Sequence, residues 1–303
     1  MPLSYTDCIA HHAARCPAAL AAVDLESGRR LTYDAFDRRI AALAGHLKDV
    51  CGIGLGARVG VLAHNSTDIF ELQFACFRLG AIFVPLNWRL TLPELDAILA
   101  DCTPSLLVYD AEFADTAGEL VGRHGTTHGL LRESAGGDYE RAIATACPLA
   151  TPQALVHDDT CTILYTSGTT GVAKGVIITH GMNFWNAANC IGVAGLSTNT
   201  VLLGILPLFH AAGLNIYANP TFHAGGTVAI MRRFDSRTAL RLLADGALGV
   251  THLHCVPAHY EAMAAHPDFA AADLSHLVGT FVGGASVPLA LLEIWSRRGV
   301  VLR

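Results

Sequence analysis

Charged side chains are scarce in this sequence of 303 residues: Asp, Glu, Lys and Arg make up 15% of it, whereas hydrophobic residues make up 52%. Such a composition excludes an intrinsically disordered chain, which lacks the apolar groups needed to build a core. The formal net charge is -6, and no cluster of Lys and Arg occurs along the chain. Because nucleic-acid binding depends on such clusters, we expect no nucleic-acid partner.

The scarcity of charge is greatest between residues 175 and 231, where Asp, Glu, Lys and Arg are all absent. A membrane-spanning helix needs about 20 consecutive apolar residues. Here Pro207, several glycines and six asparagines interrupt the apolar run, so we expect no transmembrane segment. We interpret this stretch as the deepest part of the core or as the wall of an apolar pocket.

Cys-x-x-Cys pairs and an N-terminal targeting pattern are also missing. The nine cysteines, an odd number, are scattered singly, which is typical of reduced, buried cysteines in a cytoplasmic protein. The start, MPLSYTDC, has no basic segment followed by an apolar run, so we expect no signal peptide. His252, His254 and Cys255 are candidate metal ligands, but on a strand the two histidines face one side and the cysteine the other. A metal site there is the weaker alternative to a structural role.

Apolar periodicity and capping residues predict an alternation of helices and strands. Thr32 can cap a helix over 33–48, Ser66 can cap a helix that Gly80 ends, and Thr91 and Glu94 match a capping box. Residues 111–157 give no clear pattern. The βαβα rhythm predicts an α/β fold of layered, mostly parallel sheets with flanking helices.

The stretch from Tyr165 to Val176, YTSGTTGVAKGV, concentrates hydroxyl groups, three glycines and Lys174 in one loop. Glycine lets a backbone approach a ligand closely, hydroxyl and backbone N–H groups donate to anionic oxygens, and lysine adds a positive charge. This combination predicts a polyphosphate-binding loop. The alternative is a solvated turn between two strands, which has no need of so many such residues.

Three other signatures fail on this loop. A Walker A loop needs Gly-x4-Gly-Lys-Ser/Thr, but Ala173 stands five residues after Gly168, and Gly175 follows Lys174. The Gly-x-Gly-x-x-Gly pattern of dinucleotide-binding folds fails as well. No Gly-x-Ser-x-Gly elbow is present, so Ser167 has no support as a hydrolase nucleophile.

The loop resembles the phosphate-binding signature of the adenylate-forming superfamily, which includes acyl-CoA synthetases, aryl-CoA ligases, luciferases and adenylation domains. That signature is close to Tyr-Thr-Ser-Gly-Thr-Thr-Gly-x-Pro-Lys-Gly, and here Ala173 replaces the proline. The segment Pro207–Leu214, PLFHAAGL, resembles the family's Pro-Leu-Phe-His-x-x-Gly motif. The turn at 283–286, GGAS, resembles Gly-Gly-Ala-Pro, with Ser286 in place of the proline. The resemblance covers essentially the whole chain and is greatest to the front half of bacterial fatty-acyl-CoA and aryl-CoA ligases.

The resemblance implies a set of site residues. The implied ATP ligands include Thr166, Ser167, Gly168, Thr169, Thr170, Gly171 and Lys174 around the phosphates, and Gly283, Gly284 and Ala285 beside adenine. The implied catalytic residues are His210, Lys174 and Thr170, and Thr170 is also the implied contact to Mg²⁺ through the phosphates. The implied substrate pocket includes His210, Gly213, Val256 and Val282.

The resemblance also implies the reaction and its small-molecule partners. These are a fatty or aromatic carboxylic acid, ATP with Mg²⁺, and CoA, which together give an acyl-adenylate, then acyl-CoA, AMP and pyrophosphate. We expect the chain to be part of a large N-terminal domain, with a first α/β part over 1–157 and a part carrying the ATP loop and acyl pocket over 158–303. Because the sequence stops after the predicted strand 300–302, we expect a truncated chain without the C-terminal domain and without full turnover.

Two other hypotheses stay open. One is an adenylating enzyme with a different acceptor; an α-amino acid substrate is disfavoured because residues 175–231 contain no aspartate. The other is a non-catalytic nucleotide- or acyl-binding fragment. The acyl chain length and the oligomeric state stay open too, with a homodimer as one option.

Overall fold

Two six-stranded sheets organise the fold. The computed structural model describes residues 3–125, 128–132, 137–166 and 173–303. The strands are β1 Leu20–Asp24, β2 Arg30–Thr32, β3 Arg58–Leu62, β4 Ile82–Pro85, β5 Leu106–Asp110, β6 His128–Arg132, β7 Thr160–Thr166, β8 Lys174–Thr179, β9 Val201–Gly204, β10 Thr227–Ile230, β11 His252–Cys255 and β12 Gly279–Val282.

The helices pack on both faces of these sheets. They are α1 Cys8–Arg15, α2 Tyr33–Asp49, α3 Thr67–Leu79, α4 Leu92–Cys102, α5 Ala114–His124, α6 Asp138–Thr145, α7 His180–Ala194, α8 Ala211–Gly213, α9 Asn219–His223, α10 Ser236–Ala244, α11 Pro257–Ala264 and α12 Leu289–Ser296. A π-helix, Leu214–Ala218, joins α8 to α9, and short 3-10 turns cover Ala111–Phe113 and Pro267–Ala270.

Each sheet has five parallel strands and one antiparallel strand at an edge. Sheet 1 has the order β6-β5-β3-β4-β7-β8, in which β8 is antiparallel to β7. Sheet 2 has the order β12-β11-β9-β10-β1-β2, in which β2 is antiparallel to β1. Sheet membership does not follow chain order, since β1 and β2 join strands that come about 200 residues later. The division of the chain at residue 157 stays a prediction.

Alternating side chains on the strands divide the core into separate clusters. In β3, Val59 and Val61 pack into the cluster between the two sheets, whereas Leu62 packs against α4 and α5 on the outer face of sheet 1. In β9, Leu202 faces the central cluster and Leu203 packs with α10, α11 and α12 outside sheet 2. This alternation is what strand geometry requires. It gives a layered helix–sheet–helix–sheet–helix arrangement and confirms the predicted α/β fold.

Helix α3 lies in the central layer, and every one of its residues is buried. Its ionisable side chains therefore need partners. Asp68 accepts from Arg29 and Arg132, and Glu71 accepts from Arg39 at 2.6 Å. Burial and the neighbouring Asp68 raise the pKa of Glu71 to about 7. These pairs keep the buried charges compensated and connect α3 to the helices and strands around it.

Most predicted helix boundaries are confirmed. Thr32 accepts a hydrogen bond from the Ala35 N–H at 3.2 Å, and the Glu94 carboxylate accepts from the Thr91 N–H at 2.7 Å. Gly80 ends α3 with φ +67°, a conformation that favours glycine. Ser66 occupies the N-cap position of α3, but its side chain makes no capping hydrogen bond, so its predicted capping role is wrong.

The structure corrects two other expectations. The uncharged stretch is buried in the middle of β9, in all of β10 and in most of 214–222, but Trp185 on α7 is 56% exposed and Val193 is 80% exposed. The nine cysteines are free, yet only four are buried, and Cys147 is exposed. Among the described residues, no helix is both long enough and apolar enough to span a membrane.

Candidate active site

The predicted phosphate loop joins the two strands of a hairpin at the edge of sheet 1. Thr166, the last residue of β7, pairs with Lys174, the first residue of β8, and both are exposed. Ser167, Gly168, Thr169, Thr170 and Gly171 lie outside the described residues. The two described ends of the loop therefore stand side by side, where a hydroxyl and an ammonium group can act on the same ligand.

Tyr165, just before this loop, has a structural role in the hairpin. Its hydroxyl donates to an Asp101 carboxylate oxygen of α4, and burial together with Asp101 raises its pKa. On the next strand, a Cβ at Gly175 would lie 2.8 Å from an Ile163 methyl carbon and 3.2 Å from the Tyr165 ring. The absence of a side chain at Gly175 thus lets Tyr165 lie across the hairpin.

His210 lies at the tip of a closed loop after β9. The His210 N–H donates to the Pro207 carbonyl at 3.2 Å, and the Gly213 N–H donates to the His210 carbonyl at 3.0 Å. The His210 side chain is exposed, and its Nδ1 accepts from the Ala212 N–H at 3.2 Å. This bond assigns Nδ1 as the acceptor and leaves Nε2 to carry the proton of the neutral ring.

The remaining predicted residues lie at the carboxyl ends of β11 and β12. Val282 pairs with Cys255 across these strands, and the Gly283 N–H donates to the Cys255 carbonyl at 3.2 Å. Val256 lies beside the next turn, 3.4 Å from where a Cβ of Gly284 would stand. Gly284 has φ +80°, which explains the need for glycine there.

Sheet 2 thus brings one group of predicted residues together. Strands β9, β11 and β12 are parallel neighbours, so His210, Val256 and Gly283 follow the carboxyl ends of adjacent strands. In open α/β sheets, ligands bind in the crevice at this edge. Thr166 and Lys174 form a second group on sheet 1.

An aromatic wall beside this edge was missed by sequence reasoning. Tyr217 of the π-helix stacks on Phe281 of β12 with ring centroids 4.9 Å apart, and lies 4.7 Å from the ring of His254. Burial lowers the pKa of His254 to about 4, so this ring is neutral near pH 7. The wall is uncharged and aromatic. The sequence offered only an indirect signal, because Tyr217 comes four residues after the PLFHAAG segment.

Phe209, the residue before His210, belongs to a surface of arginine and aromatic side chains. Its other members are Trp88, Arg89 and Arg233. The Arg89 guanidinium lies 4.9 Å from the Trp88 ring centroid and 5.8 Å from that of Phe209. The Arg233 guanidinium lies 5.7 Å from the Trp88 centroid and donates to Glu112 at 2.8 Å. Stacked arginines beside aromatic rings are suited to flat or anionic groups.

The described residues form no metal centre by themselves. No cluster of three His, Cys, Asp or Glu side chains in this part of the chain has metal-binding geometry. His252 instead lies within hydrogen-bond distance of the Ala194 carbonyl, at 3.0 Å, and of the Thr251 hydroxyl, at 2.8 Å. A separate cavity of about 50 Å³, bounded by residues such as Tyr5, Phe77 and His180, has room for only a few water molecules.

Comparison with known proteins agrees with this geometry. The family described as AMP-binding enzyme matches residues 9–302. Feruloyl-CoA synthase from Amycolatopsis sp is 40% identical over 273 residues, which are 90% of this chain and 53% of that protein. Indoleacetate–CoA ligase from Aromatoleum aromaticum is 36% identical over 285 residues, with 90% of this chain and 54% of that protein covered.

A solved structure supports the fold independently. The inhibitor-bound N-terminal domain of FACL13 from Mycobacterium tuberculosis superimposes with a TM-score of 0.88 at 28% identity, covering 97% of this chain and 73% of that chain. This chain spans about half the length of the two ligases, 53% and 54%. The family match over residues 9–302 confirms the resemblance found in the sequence, and the chain belongs to the AMP-binding enzyme family.

Proposed function

We propose that this chain is the front part of an acid–CoA ligase that activates a carboxylic acid with ATP. The observation that carries the proposal is that the AMP-binding enzyme family matches residues 9–302 of a chain in which three segments resemble motifs of adenylate-forming enzymes. Two of them, at His210 and Gly283, lie on adjacent parts of one sheet edge. Because the chain spans about half of its relatives, the full reaction is proposed for a longer protein.

The chemistry has two balanced steps. A carboxylate oxygen attacks the α-phosphorus of ATP, the bond to the pyrophosphate oxygen breaks, and acyl-adenylate and pyrophosphate form. The CoA thiolate then attacks the acyl carbon, and AMP leaves. Such transfers depend on positioning and charge stabilisation more than on covalent work by side chains.

In this proposal the two ends of the hairpin hold the phosphates. Lys174 supplies a positive charge and Thr166 a hydroxyl; Ser167, Gly168, Thr169, Thr170 and Gly171 complete the loop. Mg²⁺ would neutralise charge on the phosphates, and Thr170 is the predicted protein contact to the ion through those phosphates. Gly283, Gly284 and Ala285 would border the adenine.

His210 would orient the acid. Its Nδ1 is occupied by the Ala212 N–H, so Nε2–H is the group that can donate to a carboxylate or to the developing acyl-phosphate oxygen. Gly213, Val256 and Val282 would line the pocket. The aromatic surface at Trp88, with the Arg89 guanidinium beside it, would attract the anionic co-substrates ATP and CoA, whereas the charge of Arg233 is compensated by Glu112.

We favour an aromatic acid over a fatty acid as the substrate. The wall of Tyr217, His254 and Phe281 offers ring faces rather than a flexible aliphatic lining. The names of the two relatives, feruloyl-CoA synthase and indoleacetate–CoA ligase, also refer to aromatic acids. A fatty acid, a different acceptor and a non-catalytic binding fragment are the competing hypotheses. A cytoplasmic location and a homodimer stay predictions.

Lys174 allows a direct test on the chain itself, because the sequence contains only one other lysine, the exposed Lys48. We expect ATP to protect Lys174, but not Lys48, from an amine-reactive reagent, measured by mass spectrometry of the peptides. Lys174→Ala and Thr170→Ala should weaken ATP binding, whereas Lys48→Ala should not. If ATP leaves the extent of modification of Lys174 unchanged, as it does for Lys48, the assignment of the loop as a phosphate-binding loop is refuted.

The reaction is tested by carboxylate-dependent exchange of pyrophosphate into ATP. Two lengths are compared: the 303-residue chain and the same reading frame expressed past Arg303, here called the extended form. We expect exchange with the extended form and an aromatic acid, and none with the 303-residue chain. If the extended form shows no exchange with any acid of a panel of aromatic and fatty acids, the proposal of an acid–CoA ligase is rejected. If the 303-residue chain alone shows exchange, the proposal that the reaction needs a longer protein is rejected.

A further inference from the structure

The Asn65 side chain connects the two sheets next to the His210 loop. Asn65 follows β3 of sheet 1 and is 7% exposed. Its Nδ2 donates to the Leu206 carbonyl at 2.9 Å and to the Met231 carbonyl at 3.3 Å, and its Oδ1 accepts from the Leu208 N–H at 2.9 Å. All three partners belong to segments that leave the carboxyl ends of β9 and β10 in sheet 2.

The chemistry of these bonds selects an amide of this length. Asparagine has two N–H donors and one carbonyl acceptor, and here both donors and the acceptor are used. An aspartate would lose both donors and place negative oxygen against two carbonyls. A leucine would keep the shape but leave three buried backbone groups without this partner, which is costly in a dry environment.

The two bonds at 206 and 208 hold the base of the loop. They lie on either side of Pro207, which has no N–H of its own. The loop then folds back, because the Pro207 carbonyl accepts from the His210 N–H at 3.2 Å. His210 is therefore only two residues from a backbone amide that Asn65 fixes.

The far side of the loop is held separately. The Asn186 side chain of α7 donates to the Asn215 carbonyl at 2.6 Å, and the Asn215 side chain donates to Asn183 at 2.7 Å. These contacts hold the π-helix after the loop, so they do not replace what Asn65 does before it. The loop is fixed at its base by sheet 1 and at its end by α7.

We propose that Asn65 is a positioning residue: its amide reaches across from sheet 1, fixes the Leu206–Leu208 backbone and so sets where the His210 side chain stands. The role of His210 in orienting the acid rests on the proposed function, but the fixing of the loop does not. The experiments therefore remove the hydrogen bonds between the Asn65 side chain and the backbone of Leu206 and Leu208.

The first measurement is amide hydrogen exchange of the 303-residue chain, which does not depend on activity. In Asn65→Leu we expect the Leu208 amide to exchange about tenfold faster or more, while amides of β11 keep their wild-type rates. Asn65→Ser, which keeps a hydroxyl that can donate or accept on a shorter side chain, is the second variant, and we expect a smaller effect from it in the same segment. Thr227→Val is the matched control, since Thr227 is also 7% exposed and its hydroxyl donates to the Leu20 carbonyl at 2.7 Å, away from the loop.

The second measurement separates positioning from stability in the extended form. We expect both Asn65 variants to lower kcat for pyrophosphate exchange by up to about 100-fold and to raise KM for the acid, with KM for ATP unchanged. Thr227→Val should leave all three constants near the wild-type values. An unchanged rate of amide hydrogen exchange at Leu208 in the Asn65 variants would overturn the proposal that Asn65 fixes the loop. Faster amide hydrogen exchange at Leu208 with unchanged kcat and unchanged KM for the acid would overturn the proposal that the loop positions His210. Absence of pyrophosphate exchange in the wild-type extended form would reject the proposed function instead.

Discussion

Gly213 provides a sharp test of how tightly the His210 loop is packed. A Cβ added at this position would lie 2.3 Å from the Pro207 carbonyl oxygen and 2.8 Å from the Leu206 carbonyl oxygen. The backbone at Gly213 has φ -78° and ψ -39°, an ordinary helical conformation that alanine adopts readily. The predicted effect of Gly213→Ala on stability therefore comes from a clash with the backbone of the loop and not from backbone strain at Gly213 itself.

Two opposing magnitudes decide the outcome of Gly213→Ala. Glycine-to-alanine changes at helical positions ordinarily stabilise by about 0.5–1 kcal/mol. Overpacking against a backbone that resists movement costs about 1–3 kcal/mol. To restore an ordinary contact of 3.4 Å, the Pro207 segment must move by roughly 1 Å. We expect a net loss of roughly 1–2 kcal/mol and, because a displacement of that size misplaces His210, a fall in kcat/KM of about 100-fold.

The assay for Gly213→Ala combines urea unfolding of the 303-residue chain with pyrophosphate exchange by the extended form. Gly118→Ala in α5 is the matched control, because no heavy atom of the described residues, apart from its chain neighbours and its own helix backbone, lies within 4 Å of the position of its Cβ. We expect Gly118→Ala to stabilise by about 0.5–1 kcal/mol without changing activity. If Gly213→Ala also stabilises the chain and keeps the activity, the packing argument for this loop is wrong.

Three further predictions concern stability. Thr32→Ala should cost about 1 kcal/mol in urea unfolding, because it removes a capping bond. Ser66→Ala should cost nothing, because the buried Ser66 hydroxyl has no hydrogen-bond partner among the described residues. Gly284→Ala should cost about 1–2 kcal/mol, because φ is +80°. Gly283→Ala should not, because beyond its chain neighbours no described heavy atom lies within 4 Å of the position of its Cβ, and equal effects of the two changes would contradict the strain at Gly284. Burial lowers the pKa of His180 to about 4. As pH falls below 6.5, the His180 imidazole therefore becomes protonated in the unfolded chain before it does so in the folded chain. The contribution of the neutral, buried His180 to the free energy of unfolding is complete above pH 6.5 and declines by up to about 3 kcal/mol toward pH 4. His180→Phe should therefore flatten the dependence of unfolding free energy on pH between 6.5 and 4, and an unchanged slope would contradict the assignment.

Local signals in the sequence predicted much of the fold because they act within one turn or one strand. The Thr91 and Glu94 capping box, the glycine at position 80 and the Thr32 cap all depend on neighbours a few residues away. Short or polar elements were missed: β2 has only three residues and starts with the exposed Arg30, and residues 111–157 contain the unpredicted α5, β6 and α6. The predicted strand at 300–302 is a single bridge between Leu302 and Thr280.

Contacts between distant segments could not be predicted from a single sequence. Nothing near Leu20 or Asp24 indicates that β1 pairs with β10, about 200 residues later. Likewise, Asn65 gave no signal in the sequence, because its partners at Leu206, Leu208 and Met231 become neighbours only when the two sheets pack. The motifs identified the kinds of residue at the site, but the network that fixes them is a property of the packed sheets.

Direct detection of the acyl-adenylate tests the central claim of this account. The extended form is incubated with ATP, Mg²⁺ and an aromatic acid in the absence of CoA, and the acid-soluble products are measured by mass spectrometry. We predict the mixed anhydride of the acid and AMP together with an equal amount of pyrophosphate, both greatly reduced by Lys174→Ala but not by Lys48→Ala. Formation of an acyl phosphate with ADP, or no product from any aromatic or fatty acid tested, would contradict the claim.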